Sequence, residues 1–130
     1  MESWRRVWRE GFAPSLSTEH LKALRDALRC DDKRLIQAAT TSPPPLLCVQ
    51  DWPAEGADAI GLCGWLGGDL KTVGEVTEFF AKTCFEADQR IGGPAACRWF
   101  LNWYDDTPRE EMRKDLLEEV ELSLSQAGSL

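Results

Sequence analysis

The sequence predicts an all-α fold, and three observations carry that reading. Residues 72–91 place Val73, Val76, Phe80, Cys84, Ala87 and Ile91 at steps of three or four behind a T-x-x-E start. A second T-x-x-E, Thr107 to Glu110, precedes Met112, Leu116, Val120 and Leu124 at strict four-residue steps. No pair of segments shows the period-two alternation of paired strands. The expected architecture is a single helical domain over 1–130, a compact bundle of six or seven helices with a Pro-rich extended connector.

Taken in order, residues 1–13 form an amphipathic arm. Trp4, Val7 and Trp8 share a face that either docks on the core or reaches a partner, and Gly11 is a candidate break. Ser17 and Thr18 are candidate N-caps for a helix over 18–30 with a Leu21, Leu24, Leu28 stripe. Asp31 and Asp32 can cap a short helix over 32–39, which makes 18–39 a helical hairpin. The run 40–46, with three successive prolines, is a rigid connector, since proline fixes φ and removes a donor. Leu46 to Val49 is a short apolar run that fits a lone strand, a buried extended segment or a helix start equally well.

A helix is expected over 53–66, with Asp51 or Trp52 at its cap and Pro53 in its first turn. It carries Gly56, Gly61 and Gly64. Glycine costs about 1 kcal/mol against alanine in a helix, so close approach of another backbone is the expected reason, with residues 72–91 as the neighbour. In the 72–91 helix Phe79 and Phe85 widen the apolar face, and Gly92, Gly93 and Pro94 end it. The aromatic segment 95–104 reads as a helix with Trp99, Phe100 and Trp103 on one face. The last helix spans 108–125 with an acidic outer side, and 126–130 is expected to fray.

A net charge of −7 makes binding to phosphate backbones unfavourable, so no nucleic-acid partner is expected. Arg5, Arg6 and Arg9 are too short a cluster to reverse that. The N-terminal residues are polar and no apolar run approaches a membrane span, so no membrane partner is expected either. Five cysteines, an odd number with no leader before them, point to a reducing cytoplasm and thiols used as small apolar residues.

No catalytic constellation is visible. The cysteines have no C-x-x-C spacing and His20 is the only histidine, so no metal site and no cofactor is expected. His20 is also the only base available to a cysteine nucleophile and lies on a different predicted helix. Segment GWLGGD lacks the Lys-Ser/Thr of a phosphate loop. Asp51 beside Trp52, and Asp105 after Trp103 and Tyr104, put acid next to aromatic surface. The simpler role for such acids is to satisfy free N–H groups at helix starts.

These features lead to a non-catalytic cytosolic protein that works through protein–protein contact or self-association. Its candidate surface combines Trp52, Trp99, Trp103 and Tyr104 with Asp51 and Asp105, because exposed aromatics anchor interfaces. Two alternatives stand beside it. One is a small enzyme or small-molecule binder with those residues around a pocket between helices. The other is a cysteine-based redox or metal sensor, which needs two thiols within bridging distance, Cα atoms less than about 7 Å apart.

Overall fold

The computed structural model describes residues 2–39 and 51–128 and is all-α. Its helices are α1 (Ser3–Val7), α2 (Thr18–Cys30), α3 (Ala59–Leu66), α4 (Val73–Ile91), α5 (Arg98–Asp106) and α6 (Arg109–Gly128). Between α1 and α2 the chain stays wound, through a π turn at Trp8–Phe12 and a 3-10 turn at Ala13–Ser15. Among the described residues the only β pairing is two isolated bridges, Leu35 with Ala57 and Pro53 with Thr72. The proline connector at 40–46 and the apolar run at 46–49 lie outside the described residues.

Helix α4 forms as its sequence dictates. The Thr72 hydroxyl accepts the Glu75 N–H while the Glu75 carboxylate accepts the Thr72 N–H, and Gly92 closes the far end with φ 85°. The α2 start uses the same device with a less common partner. Ser17 accepts the His20 N–H, and His20 Nδ1 accepts the Ser17 N–H at 3.1 Å. The glycines of α3 do face α4. A Cβ on Gly61 would lie 3.0 Å from the Val76 side chain, and one on Gly64 only 2.6 Å from the Phe79 ring.

The N-terminal stretch is built into the core. Trp4, Val7, Trp8 and Phe12 are buried, and Trp8, Phe12, Phe100 and Tyr104 stand among the largest fully buried side chains. Each such burial is worth roughly 2–3 kcal/mol against exposure. Gly11 does not break the helical path. It lets the π turn press on α4, where a Cβ would sit 3.1 Å from that of Ala87.

Four expectations are corrected. Residues 32–39 are not a helix: Asp31 ends α2 in the left-handed region (φ 53°), and the chain then makes a tight turn, the Leu35 N–H donating to the Asp32 carbonyl, before Leu35 bridges Ala57. Asp32 is spent on Arg34, accepting both its backbone N–H and its guanidinium, which makes a turn rather than a cap. The helix expected from Pro53 starts only at Ala59. Residues 53–57 are occupied by pairing with Lys71, Thr72 and Arg34, and the cap is Asp58, which neither Asp51 nor Trp52 supplies. At the start of α6 no hydrogen bond joins Thr107 to Glu110: the helix begins at Arg109, and the Thr107 hydroxyl donates back to the Trp103 carbonyl at 2.6 Å. Helix α6 also continues to Gly128, beyond the point where fraying was expected.

Candidate functional site

The six residues singled out in the sequence are distributed over three places. Trp103 is half-buried and stacks on Trp4, ring centroids 3.5 Å apart and planes 4° from parallel. Tyr104 is buried beside Phe100, and its hydroxyl donates to the Ile36 carbonyl at 2.7 Å. Burial pushes its phenol well above the ordinary range. Asp105 accepts the Ala38 N–H at 2.8 Å. These three residues therefore hold the fold's own chain in place.

Trp52 and Asp51 lie at the other end of α4. The Trp52 carbonyl accepts the Val73 N–H at the first turn of that helix, and both side chains are exposed. Trp99 follows Cys97, which is tied to Asp88 near the last turn of α4. From Val73 to Asp88 is about 22 Å along a helix axis at ~1.5 Å per residue. Trp52 and Trp99 thus sit toward opposite ends of α4, while Trp99 and Trp103 stand one turn apart on α5.

Among the described residues the most exposed large apolar side chains are Phe85, at 62%, and Trp99, at 56%, ahead of Leu122 and Trp52. Phe85 was expected to widen the buried face of α4. It follows Cys84, which faces inward, and its position round the helix turns it to solvent. Trp99 points outward because Phe100, next in sequence, is buried among Trp4, Trp8, Phe12 and Tyr104.

A single acid organises this end of the molecule. The Asp88 carboxylate accepts the Cys97 N–H at 2.7 Å and the Ala95 N–H at 3.2 Å, while its carbonyl accepts the Gly92 and Gly93 N–H groups. It holds the turn into α5, including Ala95 at φ 62°. Phe85 stands one helical turn before Asp88, and Trp99 two residues after Cys97, so both exposed aromatics lie close in sequence to the residues that the Asp88 clasp joins.

Two further acids are buried: Asp58, and Glu119, which the sequence places on the acidic outer side of the last helix. Glu119 on α6 accepts from Arg5 at 2.7 Å and from Arg9 at 2.6 and 2.8 Å. Burial alone would raise its carboxyl, but the hydrogen bonds from Arg9 and Arg5 outweigh it and hold the group below its ordinary value. Asp58 caps α3 through the Gly61 N–H at 2.8 Å. It has no cation beside it, and burial pushes its carboxyl up to about 8.

No group of three His, Cys, Asp or Glu side chains able to hold a metal occurs among the described residues. A groove of about 380 Å³ runs between the N-terminal stretch and the end of α6, past Arg9, Leu16, Leu21 and Leu122. None of the predicted tryptophans or acids is among its described lining residues. No helix among the described residues is long and apolar enough to cross a membrane. Comparison with protein-family models, curated proteins and solved structures finds no match to this chain.

Proposed function

We propose that this protein is a non-catalytic cytosolic domain that works by protein contact, and that the contact is self-association through the surface carrying Phe85 and Trp99. The carrying observation is the exposure of two large aromatics flanking one clasp, in a chain whose other phenylalanines and most of whose tryptophans are buried or half-buried. Large rings left in water are the usual anchors of an interface. Charge supports a second copy as the occupant. In a chain of net charge −7, copies repel except where acids thin out. Beside Phe85 lies Glu86, and three or four residues from it lie Ala81, Lys82, Asp88 and Gln89; around Trp99 lie Ala95, Ala96, Arg98, Asn102 and Trp103. Positive and negative groups nearly balance there. The cytosolic setting rests on free thiols at Cys30, Cys63, Cys84 and Cys97.

Light scattering coupled to size-exclusion chromatography tests the proposal. The unaltered chain is expected to elute with a mass that rises toward a dimer as it is concentrated. Phe85→Ala with Trp99→Ala should elute as a monomer with unchanged helical circular dichroism. A wild-type monomer at every concentration, or a dimer that survives both substitutions, overturns the assignment.

A further inference from the structure

The start of α2 is closed by a histidine where a capping box ordinarily carries glutamate or glutamine. The difference matters because a histidine changes its charge close to neutral pH. Ser17 Oγ accepts the His20 N–H at 3.1 Å, and His20 Nδ1 accepts the Ser17 N–H at 3.1 Å. An imidazole nitrogen that accepts a hydrogen bond carries no proton, so the neutral ring holds its hydrogen on Nε2.

The same ring is a junction between elements. It stands edge-on to Phe79 of α4, with centroids 5.2 Å apart. A Cβ placed on Gly68 would lie 3.4 Å from its Nε2, and one on Gly67 would lie 2.8 Å from the His20 Cα, so the turn between α3 and α4 presses on this residue. His20 and Phe79 line a cleft of about 270 Å³ together with Gly64, Gly68, Asp69 and Leu70.

We propose that His20 is a proton-operated latch between α2 and the α3–α4 turn: neutral, it closes the first turn of α2, and protonated, it releases the Ser17 N–H and turns into the cleft toward Asp69. The geometry dictates the direction. A proton on Nδ1 would face the Ser17 N–H, donor against donor, and would set a positive charge at the positive end of a helix dipole. Burial also disfavours the charged ring and holds the imidazole below its ordinary 6.5, and Glu19 on α2 offsets part of that. From the elements packed against the ring, the α3–α4 turn presents Asp69, while α3 presents Gly64 and α4 presents Phe79, neither of them charged. Asp69 is the one carboxylate among the described lining residues of the cleft, and an imidazolium freed from Ser17 finds its counter-charge there.

The folded value lies below the unfolded one, so the stability that the latch contributes is complete above about pH 6.5 and is lost as pH falls through the folded value. The loss is local. It removes the cap of α2 and loosens its first turn from Gly67 and Gly68. The α4 box, closed by Glu75, holds its acceptor until pH reaches the carboxylate range, and the amides that Glu75 accepts from push its own value lower still.

The test is a pH titration of the full chain followed by NMR, in which the ring signals are unambiguous because His20 is the only histidine. The expected result is a His20 midpoint below 6.5, an unprotonated Nδ1 above it, and Ser17 and Gly68 amide signals that move with that same midpoint. His20→Gln keeps a capping-box acceptor and has nothing to titrate. Its Ser17 amide should stay constant from about pH 7 to about pH 5, and its thermal midpoint should fall several degrees less over that range than that of the unaltered chain. Asp69→Asn should lower the His20 midpoint further, because the protonated ring loses its counter-charge. A His20 midpoint at or above 6.5, a neutral ring with its proton on Nδ1, a Ser17 amide indifferent to the titration, or the same Ser17 response in His20→Gln each overturn the latch. An unchanged midpoint in Asp69→Asn overturns the turn toward Asp69. Titration of the unaltered chain decides the matter by itself if a variant fails to fold.

Discussion

The molecule buries a carboxylate in two places and treats them oppositely. Along the seam between the N-terminal stretch and α6, Glu119 is 2% exposed and remains charged because Arg5 and Arg9 both close on it. At the start of α3, Asp58 is 4% exposed with backbone N–H groups as its partners, and its proton stays on to about pH 8. Helix-end amides offset only part of the desolvation of a charge, whereas guanidinium groups offset nearly all of it. The difference bears on assembly of the fold. Glu119 fixes which face of α6 receives the N-terminal stretch, together with the Trp8 indole donating to Ser123 and the Trp4–Trp103 stack. Asp58 starts a helix that would otherwise lack a cap, at a cost that varies with pH.

The sharpest way to break this contrast is to remove the cations and leave the acid. Arg5→Ala with Arg9→Ala strands Glu119, and a stranded buried charge costs about 3–5 kcal/mol. Glu119→Leu, which removes the charge and fills the space, should cost less than half as much. Urea unfolding of the two variants ranks them, and equal losses would contradict a paired charge at the seam.

Next in size is the pinning of 31–38. Arg109 donates to Asp31, to the Asp32 carbonyl and to the Leu35 carbonyl at 2.7 to 3.0 Å. Arg109→Ala should destabilise by about 2 kcal/mol, and Arg109→Lys should recover only part of that, because one ammonium cannot reproduce the fork. Full recovery by lysine, read from the same unfolding curves, would mean that charge alone matters there.

Asp58 gives the pH arm. Its folded carboxyl titrates near pH 8, above the ordinary 3.8, so folding holds a proton that the unfolded chain has released. Stability from this group is therefore greatest below about pH 4, falls as pH rises toward 8, and is flat above that. Asp58→Asn keeps the cap and removes the titration. Its advantage over the unaltered chain should grow from near zero at pH 4 to several degrees of thermal midpoint at pH 9. Taking the difference between the two proteins cancels His20, which burial shifts downward and which contributes the opposite slope near pH 6. A constant difference across that range would place the Asp58 proton elsewhere.

The smallest effect concerns Ala38, held at φ 67° by the Asp105 hydrogen bond. Ala38→Gly should stabilise by about 0.5–1 kcal/mol, since glycine adopts that region without the Cβ clash. Loss of stability would show that entropy released in the unfolded chain exceeds the strain.

The helices whose ends are set by local chemistry were legible in the sequence. Thr72 and Glu75 mark the start of α4 and Gly92 its end, and the four-residue steps of Met112, Leu116 and Val120 place the buried face of α6. Segment 32–39 was misread because Leu35, Ile36 and Ala39 mimic a helical stripe. What decides its conformation is distant: the Ala57 bridge, Gln37 donating to the Tyr104 and Thr107 carbonyls, and Arg109. Likewise the aromatics of 95–104 announce a contact surface, but the sequence does not say which ones the N-terminal tryptophans will cover. Trp4 takes Trp103 and leaves Trp99 outside. Phe85 carries a signal that could have been used, since it lies away from the Val76, Cys84, Ala87 line round the helix.

Hydroxyl-radical footprinting across a protein concentration series tests the contact surface most directly. Trp52, exposed at the far end of α4, serves as the internal reference for Phe85 and Trp99. Self-association through the proposed surface predicts that oxidation of Phe85 and Trp99 falls with concentration while Trp52 stays constant. Oxidation of all three that is independent of concentration, or that falls equally, would contradict it.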